Sequence, residues 1–179
     1  MNDEIVSGFD EGKDDSVKLK LQRIEGMEGG LVIYAIGYID TYNSHSFQKR
    51  VDQAIEAGFV RIIFELSGIS YISSTGLATF PHFLKSVKSR KGDMVLDKVQ
   101  AKVFEVFQLL GFSQFFTFKD DFNESIAYLE NQVQSSPFPK IFSCPICSKR
   151  LRSSKPGRFR CGECRTILVI DQDARIFLG

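Results

Sequence analysis

The chain has 179 residues, of which 43% are hydrophobic and 25% charged, with no Trp; this is enough for one packed domain and a small appendage, and it excludes wholesale disorder. The longest apolar run, the nine residues from Leu31 to Ile39, falls far short of the ~18 that span a bilayer. The acidic residues 1–15 lack the apolar stretch of a secretory signal, so a soluble, cytoplasmic protein with no membrane partner is expected. The net charge of +1 conceals an asymmetry: from Lys140 onward nine Lys or Arg face three Asp or Glu, an excess of six, while the first 139 residues hold 14 basic and 19 acidic groups. Opposite signs on two parts of one chain point to separate partners or mutual attraction.

Residues 1–16 read as a flexible acidic tail. From Val17 to Ile24 apolar and polar residues alternate, the pattern of a half-buried strand, and Leu31 to Ile39 fits a strand central to a sheet. Phe47, Val51, Ala54 and Ile55 share one helical face, with Asn43 or Ser44 as the cap. Residues 61–66 make a short strand rich in β-formers, 67–70 a turn, and Tyr71-Ile72 a brief extended piece. A helix is predicted from about Ser74 to Ser89, burying Leu77, Phe80, Leu84 and Val87. Pro81 falls inside it and removes a hydrogen bond, so a kink or an irregular first turn is expected.

Further strands are predicted at 93–96 and 115–118. A helix lies between them with Val99, Val103, Val106, Phe107 and Leu110 on one stripe, stopped by Gly111. A last helix opens at Asp120 or Asp121 and carries Phe122, Ile126, Leu129 and Val133. Helices alternating with strands indicate an α/β domain over 17–134, a mixed sheet with helices packed against it. Residues 135–140 are a linker by composition. The Phe-rich stretches (Phe104, Phe107, Phe112, Phe115, Phe116, Phe118) read as core and edge packing.

All four cysteines lie in the basic part. Cys144-Pro-Ile-Cys147 and Cys161-Gly-Glu-Cys164 form two C-x-x-C knuckles 13 residues apart, a spacing that sets four thiolates around one ion. Such a module (141–179) cannot bury enough apolar area by itself, and a metal supplies the missing organisation. Two disulfides, disfavoured in a cytosolic chain, or unrelated buried cysteines are the alternatives. Zinc is favoured over iron. Rubredoxin-type iron sites use similar knuckles with glycine after the second cysteine, where Ser148 and Arg165 stand here. Four protein ligands leave no open position, so one structural Zn(2+) in a small zinc-ribbon-like β module is predicted. The basic residues Lys149, Arg150, Arg152, Lys155, Arg158, Arg160 and Arg165 could meet nucleic-acid phosphates or form a solvated face.

The segment Ser73-Ser74-Thr75-Gly76 follows a strand and opens a helix. Its hydroxyls suit capping, and the same N–H groups and dipole favour an anion, a phosphorylated serine included. His45 and His82, the only histidines, carry no catalytic pattern, and no phosphate-binding glycine loop is present.

Residues from about Val17 to Gln134 resemble the STAS domain of bacterial anti-sigma-factor antagonists. The likeness rests on Gly37-Tyr-Ile-Asp40, on Leu66-Ser-Gly-Ile-Ser-Tyr-Ile-Ser-Ser-Thr-Gly-Leu77, on the helix from Val103 to Gly111 and on the Phe-rich strand after it. In that family the pattern Asp-Ser-Ser/Thr-Gly-Leu carries the phosphoacceptor as its first serine. The resemblance makes Ser74 the phosphoacceptor, and Asp40, Ser73, Ser74, Thr75 and Gly76 the partner-binding surface. The family's Asp before that serine is Ser73 here, which removes a negative charge beside the hydroxyl.

The resemblance implies a non-enzymatic switch in transcription regulation. An unmodified antagonist binds an anti-sigma factor that is also a serine kinase; phosphorylation ends the contact and a serine phosphatase restores it. The alternative is a non-enzymatic adaptor whose basic zinc ribbon binds nucleic acid or a protein. A third reading is a STAS-type sensor of a small ligand or nucleotide.

Overall fold

The computed structural model describes residues 5–7, 9, 15–134, 140–171 and 174–179. The chain divides into two compact units, Met1–Gln132 and Val133–Gly179.

The first unit is built on a five-stranded sheet in the order β1-β2-β3-β4-β5. Its strands are β1 (Val17–Arg23), β2 (Gly30–Ile39), β3 (Arg61–Ile72), β4 (Asp93–Asp97) and β5 (Thr117–Lys119). β1 runs antiparallel to β2, and the pairs β2–β3, β3–β4 and β4–β5 are parallel. The helices are α1 (Ser44–Glu56), α2 (Ser74–Leu77), α3 (Thr79–Ser89), α4 (Ala101–Leu109) and α5 (Phe122–Gln134). One sheet face joins Phe47, Val51, Phe80, Phe83, Val103 and Phe107 from α1, α3 and α4 in the main core. The other face packs Val32, Ile63 and Val95 against Leu129, Ile126 and Phe122 of α5. The mixed sheet expected from the alternating pattern is the one observed, with Phe47, Phe64, Phe80, Phe83, Phe107 and Phe116 in edge-to-face, tilted and stacked contact at its centre. Phe115 stays exposed.

Several expectations change. The turn expected at 67–70 is strand: β3 continues through Gly68, which pairs with Ile36 across a register shift in the β2–β3 ladder. A Cβ on Gly68 would lie 2.8 Å from the Ala35 carbonyl oxygen, so the glycine permits close strand approach rather than chain reversal. The single helix expected from Ser74 to Ser89 is two, separated at Ala78. The break leaves Pro81 in the first turn of α3, where a missing N–H costs nothing. The strand expected at 115–118 starts two residues later.

The capping of α1 also differs. Asn43 holds the cap position without a side-chain cap, because its Oδ1 accepts from the Asp40 N–H while its Nδ2 donates to Ser16 Oγ and the Tyr38 carbonyl. For α5, Asp121 takes the role, its Oδ1 accepting from the Asn123 and Glu124 N–H groups.

Of the segment expected to be a loose tail, Val6 and Phe9 are buried in the core. Arg50 of α1, itself buried, donates from Nε to the Phe9 carbonyl and stacks its guanidinium 4.7 Å from the Phe9 ring centroid. Residues 1–4, 8 and 10–14, residues 135–139 of the linker expected at 135–140 and the Val133 side chain lie outside the described residues; Lys140, expected as the linker's last residue, is the first of a strand.

The second unit contains the hairpin β6 (Lys140–Ser143) with β7 (Arg150–Ser153), and a three-stranded antiparallel sheet in the order β10-β9-β8. Its strands are β8 (Gly157–Arg160), β9 (Ile167–Ile170) and β10 (Ile176–Leu178). Leu168, Phe142, Leu151 and Ile176 pack around the four cysteines as a small core. Among the described residues no helix is long and apolar enough to cross a membrane.

Candidate functional site

Parallel pairing of Ile39 with Ile72 ends β2 and β3 side by side. That register brings the turn at Asp40 next to the start of α2, though the two lie more than 30 residues apart in the chain. The Ser73 N–H donates to the Ile39 carbonyl at 2.8 Å. Ser73 is extended (φ −81°, ψ 165°) and its Oγ accepts from the Gly76 N–H at 3.0 Å, making it the N-cap of α2. A Cβ on Gly76 would stand 2.6 Å from Ile39 Cγ2 and 2.9 Å from its carbonyl oxygen, so only glycine lets this turn sit on β2.

The three hydroxyls expected to share the capping role are therefore distinct. Ser73 caps. Thr75 Oγ1 lies 3.4 Å from Thr41 Oγ1 and bridges the two turns. Ser74 is exposed, and its hydroxyl makes no hydrogen bond among the described residues. Because α2 is a single four-residue turn, the dipole at Ser74 is weaker than the one expected for a 16-residue helix.

Asp40 is a builder of its own turn. Its Oδ1 accepts from the N–H groups of Tyr42 and Asn43 at 2.8 and 3.0 Å, while its own N–H donates to Asn43 Oδ1. It remains half-buried beside the α2 start. All five residues expected at this surface are thus gathered at one end of the sheet. Sequence reasoning missed its aromatic rim: Tyr38 and Tyr71 are paired across β2 and β3 and exposed, as are Ile36 and Tyr42. The available signal was the two-residue spacing of Ile36 and Tyr38 in β2, which reads as a core strand until the end of β4 is known.

His82 Nε2 sits 2.9 Å from Asp52 Oδ1 on the α1–α3 surface, and His45 is exposed on α1.

In the second unit the four Sγ atoms lie within 4.8 Å of one another. Cys144 and Cys164 are 3.6 Å apart at sulfur, as are Cys147 and Cys161. A tetrahedron with bonds of ~2.3 Å has edges of roughly 3.8 Å, so the set fits one tetrahedral ion. A disulfide needs ~2.05 Å, and the four thiols are unbridged.

The two knuckles repeat one backbone design. The Ser148 N–H donates to the Cys144 carbonyl and the Cys144 N–H to the Lys149 carbonyl; Arg165, Cys161 and Thr166 repeat both bonds. Ser148 and Arg165 accordingly adopt left-handed φ of 57° and 61° without being glycine.

Hydrogen bonds from the Thr166 hydroxyl and backbone pull the Cys164 thiol down to about 6. The Lys149 backbone lowers Cys147, but desolvation and its sulfur neighbours outweigh it and carry that thiol up to about 11. Four thiols this close cannot all ionise unaided; a divalent cation at their centre removes the repulsion. The donor set can hold a metal ion.

Residues 18–125 match the STAS domain family, and residues 141–179 match a domain of unknown function (DUF8512). BtrV of Bordetella bronchiseptica, assigned as an anti-sigma factor antagonist, is 28% identical over 100 residues, covering 56% of this chain and 84% of BtrV. The anti-sigma-B factor antagonist of Listeria monocytogenes is 29% identical over 89 residues, 49% of this chain and 77% of that protein. The fold is shared with the Bacillus anti-sigma factor antagonist SpoIIAA. In its unphosphorylated form SpoIIAA is 18% identical with a TM-score of 0.55, covering 64% of this chain and 97% of SpoIIAA. Its phosphorylated form is 17% identical with a TM-score of 0.50, over 62% and 98%. With its sheet order, its β3–α2 turn and more than half its length matched, the chain belongs to the STAS domain family.

Proposed function

We propose that this chain is an anti-sigma factor antagonist, a binding switch without enzymatic activity whose docking is controlled by phosphorylation of Ser74. One observation carries the switch: Ser74 is exposed and owes nothing to the fold, because Ser73 does the capping beside it. A phosphoryl group of about −1.5 to −2 charges can therefore be added without loss of structure. In a closed protein interface that charge brings desolvation cost and repulsion against Asp40, and contact is lost.

Ser73 in place of the family's aspartate departs from the pattern: either side chain caps the turn, but the negative charge beside the Ser74 hydroxyl is gone. The partner is an anti-sigma factor with serine-kinase activity, docking on Asp40, Ser73, Ser74, Thr75 and Gly76, and a serine phosphatase resets the switch. A cytoplasmic location goes with this role. Cys144, Cys147, Cys161 and Cys164 hold one structural Zn(2+), which supplies only cohesion to the module.

The test is a binding assay with the cognate kinase, alongside phosphopeptide mass spectrometry of the chain after kinase treatment. Ser74→Ala should bind like the wild type and Ser74→Asp should not. An Asp variant that binds with unchanged affinity removes Ser74 from the mechanism.

A further inference from the structure

The three-stranded sheet of the second unit has one face turned to the cysteines and one turned outward. Phe159, Leu168 and Leu178 are cross-strand partners, and Leu168 is fully buried against the cysteine cluster. Side chains alternate along a strand, so the residues one step away face out. Arg158, Val169 and Phe177 are aligned across all three strands, and Arg160 pairs with Ile167 beside them.

This outer face has a definite chemistry. Two exposed guanidiniums stand in line on the edge strand β8, half-buried Val169 and Ile167 form the middle, and Phe177 on β10 is 50% exposed. None of the five residues is acidic, and neither arginine has an ion-pair partner among the described residues. Nothing in the module's core uses Arg158, Arg160 or Phe177.

We propose that this face binds single-stranded nucleic acid, with the backbone phosphates on Arg158 and Arg160 and a base stacked on Phe177. Charge complementarity fixes the sign of the ligand, since the stretch from Lys140 carries nine basic residues against three acidic ones. Six of the nine are arginine, whose planar fork matches phosphate oxygens in two-point contact. An aromatic ring one strand away from a cationic row, with an apolar strip between them, lets a base stack while its backbone follows the charge, the arrangement that holds an unpaired strand. Duplex reading through the major groove uses a helix or two-stranded ribbon inserted between the backbones. On this face the charge lies instead at the edge strand of a three-stranded sheet, while Arg150 and Arg152 stand on the separate hairpin of β6 and β7. The proposal is independent of the Ser74 switch.

The test uses the full chain loaded with zinc and a fluorescein-labelled single-stranded oligonucleotide of mixed sequence, read by anisotropy. Binding should weaken roughly tenfold between 50 and 200 mM salt. Arg158→Gln/Arg160→Gln should bind at least tenfold more weakly at 50 mM salt and lower the log–log salt slope by about 1.4, the share of two phosphate contacts on a single strand. Phe177→Leu, which keeps the apolar contact and removes the stacking face, should bind roughly tenfold more weakly with the slope unchanged. Zinc content of each variant confirms that the module is folded.

Wild-type affinity in the double arginine variant, or no binding at 50 mM salt, overturns the proposal. So does tighter binding of the matching duplex. Displacement of the oligonucleotide by poly-glutamate of equal length at equal concentration also overturns it, and gives the face to an acidic protein.

Discussion

Ser73 and Ser74 are neighbours with the same side chain in different surroundings, one capping α2 and one exposed, and substitution should part them. Ser73→Ala removes the cap on α2 and should cost about 1 kcal/mol in chemical denaturation. Ser74→Ala should stay within about 0.5 kcal/mol of the wild type and lose phosphorylation instead. Asp97 poses a different residue-level problem. It is fully buried at the end of β4, its Oδ1 accepts from the Ser125 hydroxyl, and its Oδ2 has no partner among the described residues. Burial pushes its carboxyl above the usual range. The native state thus keeps this proton to higher pH than the unfolded chain does. Its stabilising contribution is complete below the unfolded value of about 3.9 and is lost as pH rises through the native one. Asp97→Asn should flatten that decline, which urea melts from pH 4 to 7.5 would record as a smaller loss than in the wild type.

Among the close backbone approaches at glycine, two bear on the elements around the site. Gly76 seats α2 on Ile39 and Gly68 seats β3 on Ala35; in each case an added methyl meets backbone atoms that cannot rotate aside. Gly68→Ala should therefore destabilise the β2–β3 ladder by roughly 1–3 kcal/mol, read as a lower midpoint in denaturant. The knuckles show the reverse situation, because a side chain already stands where glycine would be easier. Ser148→Gly or Arg165→Gly relieves the left-handed backbone and should leave the metal-loaded module up to about 1 kcal/mol more stable. Competition with a chromophoric chelator would measure it as tighter zinc retention.

For the molecule as a whole, the two units rest on unlike sources of cohesion. The first has layered cores on both faces of its sheet, whereas the second has Leu168 and a few partly buried side chains around its sulfurs. A structural zinc contributes an apparent ~10–16 kcal/mol, more than so small a core supplies. Chelation should abolish the dispersed amide resonances of residues 141–179 while those of 17–132 persist. Loss of both sets together would show that the first unit also needs the metal.

The sequence by itself determined whatever depends on near neighbours. Two C-x-x-C pairs at the right spacing define a four-thiolate site, 3.6-residue periodicity marks the buried stripe of α1 and that of α4 except Leu110, which lies past the helix end and is exposed, and the hydroxyl cluster marks the opening of α2. Only the tertiary structure decided what depends on long-range pairing. The parallel register of β2 with β3 puts Asp40 and Thr41 against Ser73 and Thr75, and it turns Gly68 from an apparent turn residue into a point of strand contact. Arg50 reaches across to capture Phe9, which no local pattern announces. Ser73 caps, with Ser74 left exposed, where the Ser73 N–H is held by the Ile39 carbonyl and Gly76 sits against Ile39. Ile39 belongs to another strand, and local propensity carries no record of it.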